Sequence, residues 1–168
     1  MKLAGVVLAL VVASGCGTPP PEFGNVDAGA CVEYIVPASD ELSTPPMSFA
    51  NDVLPLFEAH CAQCHGTQNS PSGNLFLGKS ASDAGAVYAN LVGTAGMAAG
   101  ELATMNYVTT TDPSHSFLML KLDGDQCMYD AMCGGGSCDE AMPQTGGQLT
   151  SGDRDTIRRW IYQGAMSN

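Results

Sequence analysis

Apolar residues in this chain come in short stretches at helical spacing, separated by loops rich in Gly, Pro and Ser. The clearest stretch lies near the C-terminus. One face of it carries three apolar side chains: Ile157, Trp160 and Ile161. Thr150 can cap this helix, with Asp153 three positions later in an Asp variant of the capping box, and Gly164 can end it. The pattern therefore predicts an amphipathic C-terminal helix between these residues.

Three shorter helices are predicted upstream. Asn51 can cap the first, and the second is expected over 82–92. The third follows Asp112, a cap residue ahead of Pro113 at the first helical position, and stops before Gly124. No stretch alternates convincingly between apolar and polar residues, so we predict no strand. The expected fold class is all-α, and the domain is loop-rich.

The predicted core is sparse for the length of the chain. Four short helices with long loops bury little apolar surface relative to the conformational entropy that folding removes. We therefore expect something else to help fill the centre. Disulfides would help, and a large apolar cofactor would help more.

The N-terminal part indicates export. One Lys precedes an apolar run over 3–13 and the small residues before Cys16, as in a secretory signal peptide. The run is shorter than the ~20 residues that a membrane-spanning helix needs. The following residues are rich in Pro, Gly and small polar side chains, as in a flexible tether. We predict a signal peptide over 1–15, a tether over 16–47 and one domain over 48–168.

The stretch Ala13-Ser14-Gly15-Cys16 resembles the lipobox of bacterial lipoproteins, in which the Cys is freed at its amino group and lipidated. The resemblance implies that Cys16 is the lipidation site of an exported protein on the periplasmic side or surface of the outer membrane. Membrane contact would then be through the lipid anchor only. Ordinary cleavage nearby is the alternative.

The net charge is −11. Nucleic-acid binders need a basic face, so this composition argues against that class. Acidity favours solubility, or a partner protein with a basic docking face.

Cys16 belongs to the lipobox-like stretch, and Cys61 and Cys64 belong to a motif described below. The other four of the seven cysteines are Cys31, Cys127, Cys133 and Cys138. In an oxidising compartment these four suit two disulfides, with three possible connectivities. We prefer one that ties Cys31 to a later cysteine. A copper(I) site of Cys and Met residues within 127–138 is the alternative. Three acidic residues nearby are expected to be solvated loop charges: Asp123, Asp125 and Asp130.

Cys61-Ala62-Gln63-Cys64-His65 is a C-x-x-C-H motif, the attachment signature of c-type haem. Residues three and four apart share a helix face, so Cys61 and Cys64 can each bond one vinyl group while His65 reaches the iron. A thioredoxin-like dithiol would need a βαβ context, and a zinc site would need a second ligand pair. The motif predicts one covalent haem c with His65 as proximal iron ligand. His60 is expected to be a surface or haem-edge residue.

The stretch 51–66 resembles the opening of class I c-type cytochromes, especially the exported single-haem domains of the myxobacterial and planctomycete type. Shorter matches extend the resemblance over about 48–165. They are Gly73-Asn74-Leu75-Phe76-Leu77; Tyr88, Leu91, Val92 and Gly93; Asp112, Pro113, Ser116, Leu118, Lys121 and Leu122; Met142-Pro143; and 149–165. A Cys- and Gly-rich insert over 127–140 interrupts the pattern. The resemblance implies a small cytochrome c-like helical bundle around one covalently bound haem.

The resemblance also implies that Met142 is the distal iron ligand. Pro143 disfavours helix at Met142, which leaves the side chain free to reach across an open loop. A thioether favours Fe(II), so His/Met ligation raises the reduction potential. His115 is the alternative ligand. Five other methionines are expected in the core or in loops: Met97, Met105, Met119, Met128 and Met132.

These features predict an electron-transfer cytochrome c rather than an enzyme, with redox partner proteins. The first alternative is a haem-based ligand-binding or sensing module, in which Met142 is displaceable. The second is a haem-free structural lipoprotein stabilised by disulfides.

Overall fold

A computed structural model of the chain describes residue 31 and residues 33–92 and 105–168. The described part is mostly helical and has no strand; one isolated parallel bridge joins Val92 and Val108. The predicted all-α class is confirmed. The predicted signal peptide, the lipidation site Cys16, most of the first half of the tether, and Met97 lie outside the described residues.

The described residues form six α-helices. They are α1 (Ser39–Ser43), α2 (Leu54–His60), α3 (Ala62–His65), α4 (Ala84–Leu91), α5 (Phe117–Asp123) and α6 (Ser151–Tyr162). A π-helical turn over Phe49–Val53 leads into α2. The remaining short helical segments are 3-10 turns: Ser72–Asn74, Ala81–Asp83, Pro113–His115, Asp125–Met132 and Gly134–Gly136. Over these ranges, no helix has the length and apolar character needed to cross a bilayer.

The C-terminal helix α6 forms as predicted. The Thr150 hydroxyl accepts a hydrogen bond from the Asp153 backbone N–H at 3.2 Å. Gly164, just beyond the helix, has φ +104°, a conformation that glycine adopts without a Cβ penalty. Local capping chemistry therefore sets both ends of this helix.

The first predicted helix begins earlier than expected. Ser48, not Asn51, is the cap, because its hydroxyl accepts from the Asn51 N–H at 3.2 Å. In a reciprocal hydrogen bond, the Asp52 carboxylate accepts from the Ser48 N–H at 2.7 Å. The predicted Asn51 cap was wrong because this reciprocal pair satisfies the orphan N–H groups one turn upstream.

The third predicted helix is interrupted at Ser116, which has extended backbone angles (φ −109°, ψ 114°). The Ser116 hydroxyl donates to the Asp112 carbonyl at 2.8 Å and accepts from the Thr109 N–H at 2.9 Å. A short serine side chain that bonds nearby backbone competes with helix formation. The result is a 3-10 turn and then α5.

The core lies between α2, α4, α5 and α6. Phe49 is its aromatic centre, with its ring 5.1 Å from Trp160 and 5.7 Å from Tyr88. Four aliphatic side chains around it are fully buried: Val53, Val87, Leu91 and Ile157. Of these helices, α5 also supplies four residues to the wall of the site described below: Phe117, Leu118, Lys121 and Leu122.

The second half of the predicted tether packs against the helical body. Cys31 is joined to Cys127 by a disulfide, and the Tyr34 ring lies over the guanidinium groups of Arg154 and Arg158 at 4.4 and 4.5 Å. Leu42 of α1 is 3% exposed. By packing, the compact unit runs from Cys31 to Asn168, so it starts before the boundary at residue 48 that composition indicates.

Asp123 and Asp125 are buried, so their prediction as solvated charges was wrong. The Asp123 carboxylate accepts from Arg154 at 3.0 Å and also from Arg158. These two arginines lie one turn apart on α6, and both are almost fully buried. Buried guanidinium groups need carboxylate partners, which Asp123 supplies. Asp125 accepts from the Tyr34 N–H at 3.0 Å, and Asp130 from the Cys138 N–H at 2.7 Å.

Candidate functional site

A cavity of about 520 Å³ brings together Cys61, Cys64, His65 and Met142. Much of the remaining wall is apolar. Its apolar and aromatic members include Leu75, Leu77, Tyr107, Phe117, Leu118 and Leu122. The volume lies within the roughly 300–1,000 Å³ of ligand and cofactor pockets, and a few polar groups converge in an apolar wall as in such pockets.

The two motif cysteines occupy one helical turn at the cavity. The chain bends at Cys61, where α2 ends, and the His65 N–H donates to the Cys61 carbonyl at 2.9 Å to continue the turn. Cys61 is half-buried and Cys64 is exposed, and both are free thiols. Burial raises the pKa of the Cys61 thiol to about 12, so this thiol is neutral at pH 7.

The other described cysteines are paired. Cys31 bonds Cys127, in line with the preferred connectivity, and Cys133 bonds Cys138. A disulfide sulfur is not a thiolate ligand, so the copper(I) alternative loses its thiolate donors. Among the described residues, no group of three or more His, Cys, Asp and Glu side chains is arranged to hold a metal ion.

The His65 ring has a defined orientation and tautomer. Its Nδ1 lies 2.9 Å from the Leu75 carbonyl oxygen. A carbonyl only accepts, so Nδ1 must carry the hydrogen, and Nε2 keeps a lone pair. The Leu77 N–H also donates to the His65 carbonyl at 2.8 Å. Metal-binding histidines typically have one ring nitrogen held in this way.

Two glycines shape the backbone on either side of the segment that packs against His65. A Cβ on Gly66 would lie 2.3 Å from the Ala62 carbonyl oxygen, which no ordinary side chain tolerates. Gly73 has φ +58° and begins the turn that returns residues 75–77 to His65. Both glycines are recognisable in the sequence, one directly after the motif and one in the Gly-Asn pair, but the close packing of Gly66 against Ala62 and Lys79 depends on the fold.

Met142 joins the cavity lining from a different loop, which is held at two points by Lys121. The Met142 N–H donates to the Lys121 carbonyl at 2.8 Å. The Lys121 ammonium donates to the Cys138 carbonyl at 2.6 Å, and this residue is only 6% exposed. Sequence reasoning missed this role of Lys121. The one available indication was a Lys within the apolar run of α5.

The remaining candidate ligands lie elsewhere. His115 is exposed, and its Nδ1 lies 2.8 Å from the Asp112 carboxylate, away from the cavity lining. His60 is exposed and lies at the rim. The other described methionines of the prediction are not among the lining residues: Met105, Met119, Met128 and Met132. Met119 is buried in the core, whereas Met128 and Met132 are exposed.

Compared with protein-family models, with curated proteins and with solved structures, the chain finds no match in any of the three.

Proposed function

We propose that this protein is an electron-transfer cytochrome c with one covalent haem in a small cytochrome c-like bundle. The observation that supports the proposal is the single cavity lined by Cys61, Cys64, His65 and Met142. Cys61, Cys64 and His65 are neighbours in the motif, whereas Met142 lies far along the chain, yet all four predicted attachment and ligand residues line one largely apolar space.

The residues present fit a haem c. Cys61 and Cys64 have free thiols for two thioether links, and His65 has an unengaged Nε2 lone pair for iron. Met142 would contribute a thioether as the second iron ligand, and the apolar part of the wall suits a porphyrin face. The haem, when bound, supplies one-electron exchange at its iron.

The chain's own residues would control that exchange. His65 is oriented by the Leu75 carbonyl and would offer its Nε2 lone pair to iron, while the Met142 thioether would favour the reduced iron and raise the potential. The apolar part of the wall would limit the access of water to a bound haem. If His65 and Met142 both bound the iron, no coordination position would remain for a substrate, which favours a carrier over an enzyme.

We also propose an exported protein, lipid-anchored at Cys16, that docks on redox partners with a basic face. Two disulfides are typical of an oxidising compartment. The exposed residues Asp139 and Glu140 line the cavity and put negative charge at its rim. Such a rim favours a positively charged partner through electrostatic steering.

Carbon monoxide tests the carrier function against ligand sensing. The matured full chain is reduced, and the absorbance spectrum is recorded before and after addition of carbon monoxide. A carrier with a firmly bound Met142 gives an unchanged spectrum. Prompt binding would favour the sensing alternative with a displaceable Met142.

A further inference from the structure

One peptide unit lies between the His65 ring and helix α4. Its carbonyl, from Leu75, accepts from His65 Nδ1 at 2.9 Å. Its N–H, from Phe76, donates to the Asn90 side-chain oxygen Oδ1 at 2.8 Å. His65, this peptide and Asn90 therefore form a continuous hydrogen-bonded series.

The peptide group is planar, so a partner that fixes the N–H also fixes the direction of the carbonyl. Hydrogen bonds in series also polarise one another, and an acceptor on the N–H makes the carbonyl a stronger acceptor. The assignment of the Asn90 amide is not ambiguous, because the Phe76 N–H can only donate and must face an oxygen.

Asn90 is rigidly placed for this contact. It lies near the end of α4, whose neighbouring residues Val87 and Leu91 are fully buried in the core. Phe76 is 4% exposed, so its backbone N–H is shielded from water and would cost free energy if left unpaired.

We propose that Asn90 is a positioning residue that tunes His65 through the Leu75–Phe76 peptide; this inference rests on the proposed haem function. A better acceptor at Nδ1 raises the basicity of Nε2, and a more basic axial ligand stabilises the oxidised iron. Asn90 therefore holds the reduction potential lower than His65 alone would set it.

The test compares matured full-length variants. Asn90→Leu removes the acceptor at similar size, and Asn90→Asp keeps an oxygen acceptor. We expect a higher reduction potential and faster deuterium exchange of the His65 Nδ1–H, followed by NMR, in Asn90→Leu. Asn90→Asp should show neither change. Ala89→Leu, at the exposed neighbouring position on α4, is the matched control and should keep the wild-type potential.

An unchanged potential in Asn90→Leu, or exchange as fast in Asn90→Asp as in Asn90→Leu, would overturn the inference. Asn90→Ala replaces Asn90→Leu if that variant does not accumulate, with the same criteria. The two failures are distinguishable. A matured wild-type chain without covalent haem defeats the proposed function and this inference together, whereas a haem-bearing wild type with unresponsive variants defeats the inference alone.

Discussion

The two sides of the cavity are held in different ways. On the His65 side, the contacts are local: the motif turn, the Leu75 carbonyl and the Leu77 N–H all lie within the segment 61–77. On the Met142 side, the loop is held by α5 through Lys121, about twenty residues earlier, and by the Cys133–Cys138 disulfide within the insert.

Under the proposed function, this difference would separate haem attachment from control of the iron. The His65 side carries the two thiols and the fixed imidazole that would attach the haem. The Met142 side would supply one soft ligand from a loop in which Gly146 and Gly147, both with positive φ, follow Met142. Changes there should alter the sixth coordination position and leave attachment intact.

The largest effect is expected from Met142→Ala. The haem should stay attached through Cys61 and Cys64, but the reduced protein should change from no carbon monoxide binding to full occupancy, and the potential should fall. Absorbance titration and a covalent-haem stain measure the two properties. Met128→Ala, at an exposed position outside the cavity lining, is the control. An unchanged potential in Met142→Ala would show that Met142 is not the distal ligand.

Loss of one disulfide should mainly lower the free energy of unfolding, and loss of the other should mainly increase carbon monoxide binding. Cys31–Cys127 spans 96 residues, so replacing both by Ser should lower the free energy of unfolding by about 4–5 kcal/mol. Cys133–Cys138 spans only 5, so its loss should cost about 2 kcal/mol.

Carbon monoxide binding should rank the two disulfide variants in the opposite order, because Cys133–Cys138 closes a short loop just before Met142 whereas Cys31–Cys127 joins the N-terminal segment to a more distant position. Urea unfolding and carbon monoxide titration measure the two effects. If the Cys31 and Cys127 variant bound more carbon monoxide, the proposed division between the two sides would be wrong.

A smaller distal effect is expected from Lys121→Met. The Cys138 carbonyl would lose the ammonium donor, and leaving it unpaired costs about 1–3 kcal/mol. We expect partial carbon monoxide binding with an unchanged amount of attached haem. Lys79→Met tests the same chemical change on the His65 side, where Lys79 is exposed and packs beside Gly66. Equal carbon monoxide binding in both variants would remove the special role of Lys121.

The last prediction concerns the haem-free polypeptide rather than carbon monoxide binding or the potential. The pKa of Cys61 is raised by burial from 9.0 to about 12 in the folded chain. Over that window the unfolded chain releases a proton that the folded chain keeps, so stability is full below about pH 9 and falls as the pH rises towards about 12. Urea midpoints across this range measure the slope. The slope should be weaker in Cys61→Ser; an equal slope would assign it to another group.

Features that depend on residues close together in the sequence could be predicted, and features that depend on distant residues could not. The cap at Thr150, the all-α class and the motif turn depend on neighbours within a few residues, and they were recognisable. Ser48 and Asn51 both suit a helix cap, and Ser48 has the further advantage that its hydroxyl donates to the Asn168 carbonyl at 2.8 Å, far along the chain. The Ser116 hydroxyl bonds to backbone groups of Asp112 and Thr109, and the helical pattern of the surrounding residues does not indicate these bonds.

Tertiary partners explain the rest. Tyr34 lies in a Pro- and Ser-rich region that resembles a linker, but it stacks on two arginines 120 or more positions away. The same arginines form ion pairs with the buried Asp123 carboxylate, whose sequence context by itself predicts a solvated loop charge. The contacts of Lys121 and Asn90 with the site likewise join segments whose proximity no periodicity reveals.

The central claim is covalent haem at Cys61 and Cys64, and mass spectrometry of the full chain matured with the haem-attachment machinery tests it most directly. The account predicts a coloured protein whose polypeptide carries the added mass of one haem, located by peptide mapping to the segment with both cysteines. Cys61→Ala with Cys64→Ala should lack that mass. A colourless wild-type chain, weighing no more than its amino acids and any lipid, would contradict the account.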